Sequence, residues 1–219
     1  MAAAGRSTFR LGSKAAGHVH YVTFRPGTLA GKSWIVVRYR VDARAGTRFV
    51  PQANPDRAGT VSLYLQRRGD DWNARGRYQY YRWYAPAASV RELAPGAGEI
   101  SVRLDDPQWI SVLGQPSADY PGAMAEALAD VERVGLVFGS SNARGHGVYA
   151  TALGKIHADG VPGGIKLVIA TPAKAGEAIQ SGLRYSGLPR RLRLLAMTSP
   201  RESAWPDRAC RPCGNSRRA

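Results

Sequence analysis

Apolar and polar residues alternate with a period of two in several short stretches of this 219-residue chain. Successive side chains of a strand point to opposite faces, so the pattern predicts strands with one face toward a core and the other toward solvent. The clearest stretch is SWIVVRYRV, residues 33–41, and residues 60–67 and 99–104 repeat the alternation. In the first stretch the predicted core side chains are Ile35, Val37, Tyr39 and Val41.

Residues 121–131, PGAMAEALADV, contain the one convincing helical pattern, with proline near the start and alanine-rich interior positions. Many short strands, one short helix and no regular strand–helix alternation predict an all-β fold, an antiparallel β-sandwich of the jelly-roll type. The 44% of apolar residues are enough to build its core. We expect three parts: a flexible N-terminal segment 1–17, the β-sandwich 18–170, and a basic, disordered tail 171–219.

The segment RGRYQYYRWYAP, residues 75–86, is dense in aromatic residues and arginine. As a continuous strand it would place Tyr78, Tyr80, Arg82 and Tyr84 on one face. Flat rings stack on the C–H face of a sugar, and arginine can hydrogen-bond the sugar hydroxyls. The strand is therefore a candidate sugar platform, although such rings also serve as core and as cross-strand pairs that stabilise a sheet.

The chain carries 31 basic and 16 acidic residues, a net charge of +15. The last 49 residues hold ten Lys/Arg against three Asp/Glu, so the tail is the most basic part. A basic chain favours nucleic acid or another polyanion as a partner, although a biased Arg composition gives the same balance. We therefore keep electrostatic polyanion or nucleic-acid binding as the alternative to sugar binding.

No apolar run near the N-terminus is long enough for the central region of a secretion signal. No stretch approaches the roughly 18 apolar residues of a membrane span. The sequence therefore predicts no membrane span, and it leaves the cellular location open.

Three motifs resemble a family of small bacterial β-sandwich proteins with a jelly-roll, galactose-binding-like architecture, similar to carbohydrate-binding modules. The motifs are FVPQANP (49–55), VSLYLQRRGDDWNARGRYQYYRWY (61–84) and VGLVFGSSNARGHGVYAT (134–151), and the resemblance covers about residues 18–151. The resemblance implies non-catalytic binding of sugars outside the cytoplasm. After residue 151 the chain departs from the family pattern, so a truncated or frame-shifted end is one hypothesis for this region, beside a tail that folds differently.

Three further residues complete the predicted ligand site: Arg38, Trp72 and His146. His146 stands between two glycines, where a histidine that only hydrogen-bonds the backbone is the ordinary alternative. The sequence shows no catalytic constellation beside these residues, so we expect binding rather than catalysis. A glycosidase on the same fold is the weaker alternative, with Asp70, Asp71, Asp105 and Asp106 as available carboxyl groups.

No cofactor is expected, except that calcium could bind the oxygen atoms of one loop, 68–76. This loop carries Asp70, Asp71 and Asn73 but lacks the spacing of a dedicated calcium loop, and a plain polar hairpin loop is the simpler interpretation.

Overall fold

The computed structural model describes residues 7–11, 13–14, 17–26, 28–152, 154–158, 166–170 and 195–198. This part of the chain forms fifteen short strands and one α-helix. The strands are β1 Ser7–Leu11, β2 Val19–Phe24, β3 Trp34–Asp42, β4 Phe49–Pro51, β5 Thr60–Arg67, β6 Arg82–Tyr84, β7 Arg91–Glu92, β8 Gly96–Arg103, β9 Ile110–Ser111, β10 Val131–Ser140, β11 Ala143–Arg144, β12 Val148–Ala150, β13 Gly154–Ala158, β14 Lys166–Ala170 and β15 Leu195–Thr198. The predicted mostly-β fold is confirmed.

The strands form two antiparallel sheets. In the smaller sheet, β3 pairs with β8 along one edge and with β13 and β14 along the other, and β1 pairs with β13. The larger sheet has the order β4-β12-β2-β10-β5-β6-β9, with β7, β11 and β15 attached to β5, β10 and β2. It curls into a half-barrel. The sheet that matters for the candidate site is this larger one.

One apolar core receives side chains from both sheets. The smaller sheet contributes the four side chains that the alternation in 33–41 predicted, and all of them are buried. The larger sheet contributes Leu63, Leu65, Trp83, Leu136 and Phe138, none of which is more than 1% exposed. Removal of this apolar area from water is the main contribution to stability that the fold offers.

The helix α1, Pro121–Ala129, agrees with the prediction for 121–131 within two residues. Proline stands at its first turn, where a missing N–H costs no hydrogen bond, and Met124 and Ala127 are its buried residues. In the described part of the chain, no helix has the length and apolar character needed to cross a membrane.

The continuous aromatic strand was predicted wrongly. Residues Gly76–Tyr80 form a 3-10 helix, and only Arg82–Tyr84 is strand. The amide of Tyr81 donates to the carbonyl of Tyr78, which closes a turn where the prediction had an extended chain. The reason is tertiary: the ring of Tyr80 stacks on Trp83 and lies 4.7 Å from that of Tyr120, contacts that a straight strand could not make. The four predicted platform residues therefore do not share one face.

Strands also occur in both terminal segments. β1 lies in the segment expected to be flexible, and β15 lies in the segment expected to be a disordered tail. Each pairs with a strand remote in sequence, β13 and β2 respectively, and such pairing leaves no local pattern to recognise. The rest of the predicted tail lies outside the described residues.

Candidate functional site

The two faces of the larger sheet differ in chemistry. On β5, Val61, Leu63 and Leu65 face the core, and the alternate residues Ser62, Tyr64 and Gln66 face the opposite way. Although this second face lies outside the core, its residues on β5 are also buried, at 0 to 3% exposure. Burial of polar side chains on a second face is costly without partners, and it is the first indication of a site.

Three tyrosines from three strands meet on this second face. Tyr21 from β2 and Tyr64 from β5 have ring centroids 4.8 Å apart, and Tyr64 and Tyr84 from β6 are 6.4 Å apart. The hydroxyls of Tyr21 and Tyr84 are hydrogen-bonded at 2.9 Å. We call these three residues the tyrosine cluster.

A buried ion pair adjoins the tyrosine cluster. Arg82 Nε lies 2.8 Å from Asp70 Oδ2, and the two side chains are 3% and 0% exposed. Gln66 Nε2 donates a second contact to the same carboxylate oxygen at 2.8 Å. Arg82 and Tyr84 are two residues apart on β6, so both project to the second face, and the prediction that these two share a face is correct. Their burial, however, excludes them from any open platform.

Trp72 covers the ion pair and the tyrosine cluster. The guanidinium carbon of Arg82 lies 4.7 Å from the Trp72 ring centroid, and the Tyr21 ring centroid lies 5.2 Å from it. Trp72 has a φ of 66°, in the left-handed region that a bulky side chain rarely adopts. The Asp70 carboxylate accepts the Trp72 N–H at 3.2 Å and so helps to hold this turn. A strained residue that closes a polar cluster is typical of a functional loop.

Four buried polar atoms of this face have no hydrogen-bond partner within the described residues: Ser62 Oγ, Tyr64 Oη, Gln66 Oε1 and Arg82 Nη2. Arg82 Nε also lacks a hydrogen bond, because its 2.8 Å contact with Asp70 does not have hydrogen-bond geometry. Each buried polar group without a partner costs about 1–3 kcal/mol. Both donors and acceptors are present, so the set suits a ligand rich in hydroxyl groups.

Burial also sets the protonation of the cluster. It raises the pKa values of Tyr21, Tyr64 and Tyr84, and for Tyr84 the positive charge of Arg82 opposes the rise. The three hydroxyls therefore stay neutral and keep both a proton to donate and lone pairs to accept. Burial likewise raises the pKa of Asp70, against the lowering effect of Arg82.

Arg144 lies at the border of the tyrosine cluster. Its Nη1 donates to the Ala85 carbonyl, and burial lowers its pKa, while the nearby Tyr84 acts in the opposite direction. The same short strand leads into Gly145, where an added Cβ would collide with the hydroxyl of Tyr21. The loop after β11 thus closes one side of the cluster.

His146 follows directly and lies beside two other histidines, His18 and His20. His20 Nδ1 is 2.9 Å from the Gly145 carbonyl, and the rings of His18 and His20 are 6.4 Å apart. Burial, and then the neighbouring His20, hold the pKa values of His18 and His146 below the ordinary value. His146 itself is exposed, and its binding role stays a prediction.

Within the described residues, no group of three or more His, Cys, Asp or Glu side chains is arranged to hold a metal ion. In the loop proposed for calcium, the Asp71 carboxylate accepts the Asn73 N–H at 3.1 Å, and Asp70 is held by Arg82, Gln66 and the Trp72 amide. These contacts explain the Asp/Asn content as turn chemistry. Calcium binding stays a prediction.

Three predicted site residues lie elsewhere. Arg38 is on the smaller sheet, where Nε donates to Glu99 Oε2 at 2.6 Å. Tyr80 packs on Trp83 as described above. Tyr78 belongs to a partly exposed stack in the order Arg67, Tyr81, Tyr78, Arg77. Successive members of this stack are 4.9, 4.9 and 5.1 Å apart, measured to ring centroids, and we call it the surface stack.

The sequence contained a recognisable pattern for only some residues of the second face. The alternation in residues 60–67 already separates Ser62, Tyr64 and Gln66 from the apolar positions. Tyr21 precedes β5 and Arg144 follows β6 at a long distance in sequence, and only the order of the strands brings them to β5 and β6.

Models of known protein families give no match to this chain, and no curated protein matches it significantly. Inference of function therefore depends on the geometry and chemistry of the second face.

Proposed function

We propose that the protein is a non-catalytic carbohydrate-binding protein with a jelly-roll-like β-sandwich, and that the sugar binds at the tyrosine cluster. The observation that carries the proposal is the set of buried polar atoms without partners next to three tyrosines and an arginine. An apolar second face would be more stable, so the cost of this one favours selection for a ligand.

The chemistry suits a pyranose ring. Tyrosine rings offer apolar faces to the C–H side of the sugar, while neutral hydroxyls, the Gln66 carbonyl and the Arg82 guanidinium offer hydrogen bonds to its hydroxyl groups. This arrangement corrects the predicted platform: the rings come from β2, β5 and β6, rather than from one strand.

Access requires movement of Trp72. In the structure its ring covers both the ion pair and Tyr21, so the sugar takes its place when the loop opens. The left-handed backbone at Trp72 and at Ala74, with φ of 66° and 56°, stores about 1–3 kcal/mol per residue. Release of this strain offsets part of the cost of opening.

The carboxylates support binding over hydrolysis. Most glycosidases use two carboxyl groups about 5 to 9 Å apart across the scissile bond. Among the described residues, Asp70 is the one carboxylate in the cluster, and it is already engaged by Arg82 and Gln66.

The full chain should be tested for binding to a panel of glycans at low and moderate salt. We expect salt-tolerant binding to one class of glycan, and a loss of at least tenfold in Tyr64→Phe, which removes one hydroxyl. Tyr78→Phe is the matched control, since it makes the same change outside the cluster. Equal loss in both variants, or no glycan bound at all, would refute the proposal.

A second candidate is polyanion or nucleic-acid binding, which the surface stack favours. It combines partly exposed rings with guanidinium groups, the combination that binds single-stranded nucleic acids. Arg77 has no carboxylate partner within ion-pair distance in the described part of the chain. Binding of single-stranded DNA that weakens steeply with salt and falls in Arg77→Gln would support this candidate.

A further inference from the structure

We infer that the ligand of the tyrosine cluster is an acidic saccharide, a sugar that carries a carboxylate, and that Arg82 and Arg144 recognise this group. The inference rests on the proposed sugar-binding function and narrows it to uronic acids. It follows from the balance of charge at the cluster, together with the free hydrogen-bonding capacity of Arg82.

The cluster holds two arginines and one carboxylate. Arg82 is paired with Asp70, and both are buried. Arg144 is partly buried, and the partner that it has among the described residues is a neutral carbonyl, that of Ala85. Arg133 on β10 also acts on Tyr64 electrostatically, and Glu132, 3.8 Å from it, is shared with Arg25 at 3.4 Å. The described residues therefore leave at least one positive charge at the cluster uncompensated.

A desolvated positive charge without a counterion is unfavourable, and it becomes favourable when an anion enters the same low-dielectric region. Burial lowers the pKa of Arg144, because removal from water disfavours its charged form. Guanidinium groups bind carboxylates through N–H donors, and Arg82 Nη2 has no hydrogen-bond acceptor among the described residues. A neutral sugar would satisfy these donors but leave the charge unbalanced.

A nucleic acid fits the cluster less well. Its phosphates lie on the outside of a long polymer, whereas Arg82 is 2% exposed and covered by Trp72. The partly exposed surface stack is the better match for such a polymer, and the two positions can be separated by mutation.

Calorimetric titration of the full chain should compare oligogalacturonate and oligoglucuronate with the same oligomers after methyl esterification, which removes the charge and adds a small methyl group. We expect the acids to bind at least about tenfold more tightly than the esters, the effect of one charge-assisted hydrogen bond. Arg144→Gln should abolish this preference, and Arg77→Gln should preserve it. Arg144 is suitable because, unlike Arg82, it is only partly buried and forms no ion pair with another described residue, so the variant should fold.

The outcomes distinguish failure of the acidic-ligand hypothesis from failure of carbohydrate binding as a whole. Equal affinity for acid and ester, or binding of a neutral glycan alone, would overturn the acidic ligand and leave the proposed function standing. An acid preference that is lost in Arg77→Gln and retained in Arg144→Gln would also overturn it, since binding would then occur at the surface stack. Failure to bind any acidic or neutral glycan would overturn both hypotheses.

Discussion

Replacement of Asp70 by asparagine should reveal the burial of the ion pair through a large loss of stability. The variant keeps the shape of the side chain and leaves Arg82 charged, 3% exposed and without an anion. Loss of one partner from a buried pair costs about 3–5 kcal/mol, whereas an exposed pair contributes about 0–1 kcal/mol. Burial raises the pKa of Asp70 and so offsets part of the benefit of its charge. We therefore expect Asp70→Asn to lower the free energy of unfolding by about 1–3 kcal/mol, the cost of an unpaired buried group, measured by urea denaturation at pH 7.

The matched control is Glu99→Gln on the smaller sheet. It makes the same chemical change in a shorter contact, the 2.6 Å pair with Arg38, but the two side chains are 47% and 30% exposed. We expect a loss of at most about 1 kcal/mol there. Distance alone would predict a larger effect at Glu99, so the comparison isolates burial as the cause.

Arg82→Met adds a test by pH. Removal of the guanidinium leaves Asp70 buried, and its pKa, which burial already raises, should rise further. When the pKa of a carboxyl group is higher in the folded than in the unfolded state, the folded protein loses stability as pH rises through the range between the two values. The loss of unfolding free energy in Arg82→Met should therefore be larger at pH 7 than at pH 5. A pH-independent deficit in Arg82→Met, or a loss below 1 kcal/mol in Asp70→Asn, would refute the assignment of a buried pair.

Three further predictions concern other parts of the chain. Tyr64→Phe should raise the free energy of unfolding of the free protein by up to about 1 kcal/mol, because it removes a buried hydroxyl without a partner. Tyr84→Phe should lower it by about 1–2 kcal/mol, because it removes the hydrogen bond to Tyr21, and the same urea titration measures both. His146 should titrate below 6.5 by NMR, and its contribution to stability should be complete above that pH and be lost as pH falls through its lowered folded-state pKa. Gly135→Ala should lower the melting temperature, since a Cβ there would collide with the backbone of β2, whereas Gly122→Ala in α1 should not, because open space surrounds it.

The sequence predicted the strands whose neighbours impose a simple two-sided environment. Alternation located β3, β5 and β8, and it also identified the core residues of β3. The aromatic segment was predicted wrongly because it is so rich in aromatic residues that rings fall at alternate positions whatever the backbone conformation. Tyr78 and Tyr80 entered a 3-10 helix, in which contacts with other segments, rather than a period of two, fix the direction of each side chain.

The candidate site was predictable only in part, for a related reason. Arg82, Tyr84 and Trp72 were noticed because they are close in sequence, and they do come together in the structure. Tyr21 and Arg144 arrive through strand order, which no local pattern records. Whether Tyr84 is exposed or buried depends on the strands beside it and on the Trp72 loop above it, so the open platform predicted from residue types became a covered cluster.

The second face has a physical cost that its contribution to folding does not explain. Apolar residues at the positions of Ser62, Gln66 and Arg82 would bury the same area without unpaired donors and acceptors. A sheet that has its core on one face needs no polar cluster on the other, and water can solvate a simple polar surface there. Burial of the polar groups beneath Trp72 combines the expense of desolvation with the strain of a left-handed tryptophan. Under the proposed function, a ligand would supply the missing hydrogen bonds once Trp72 moves, and a carboxylate on that ligand would in addition balance the charge of Arg144.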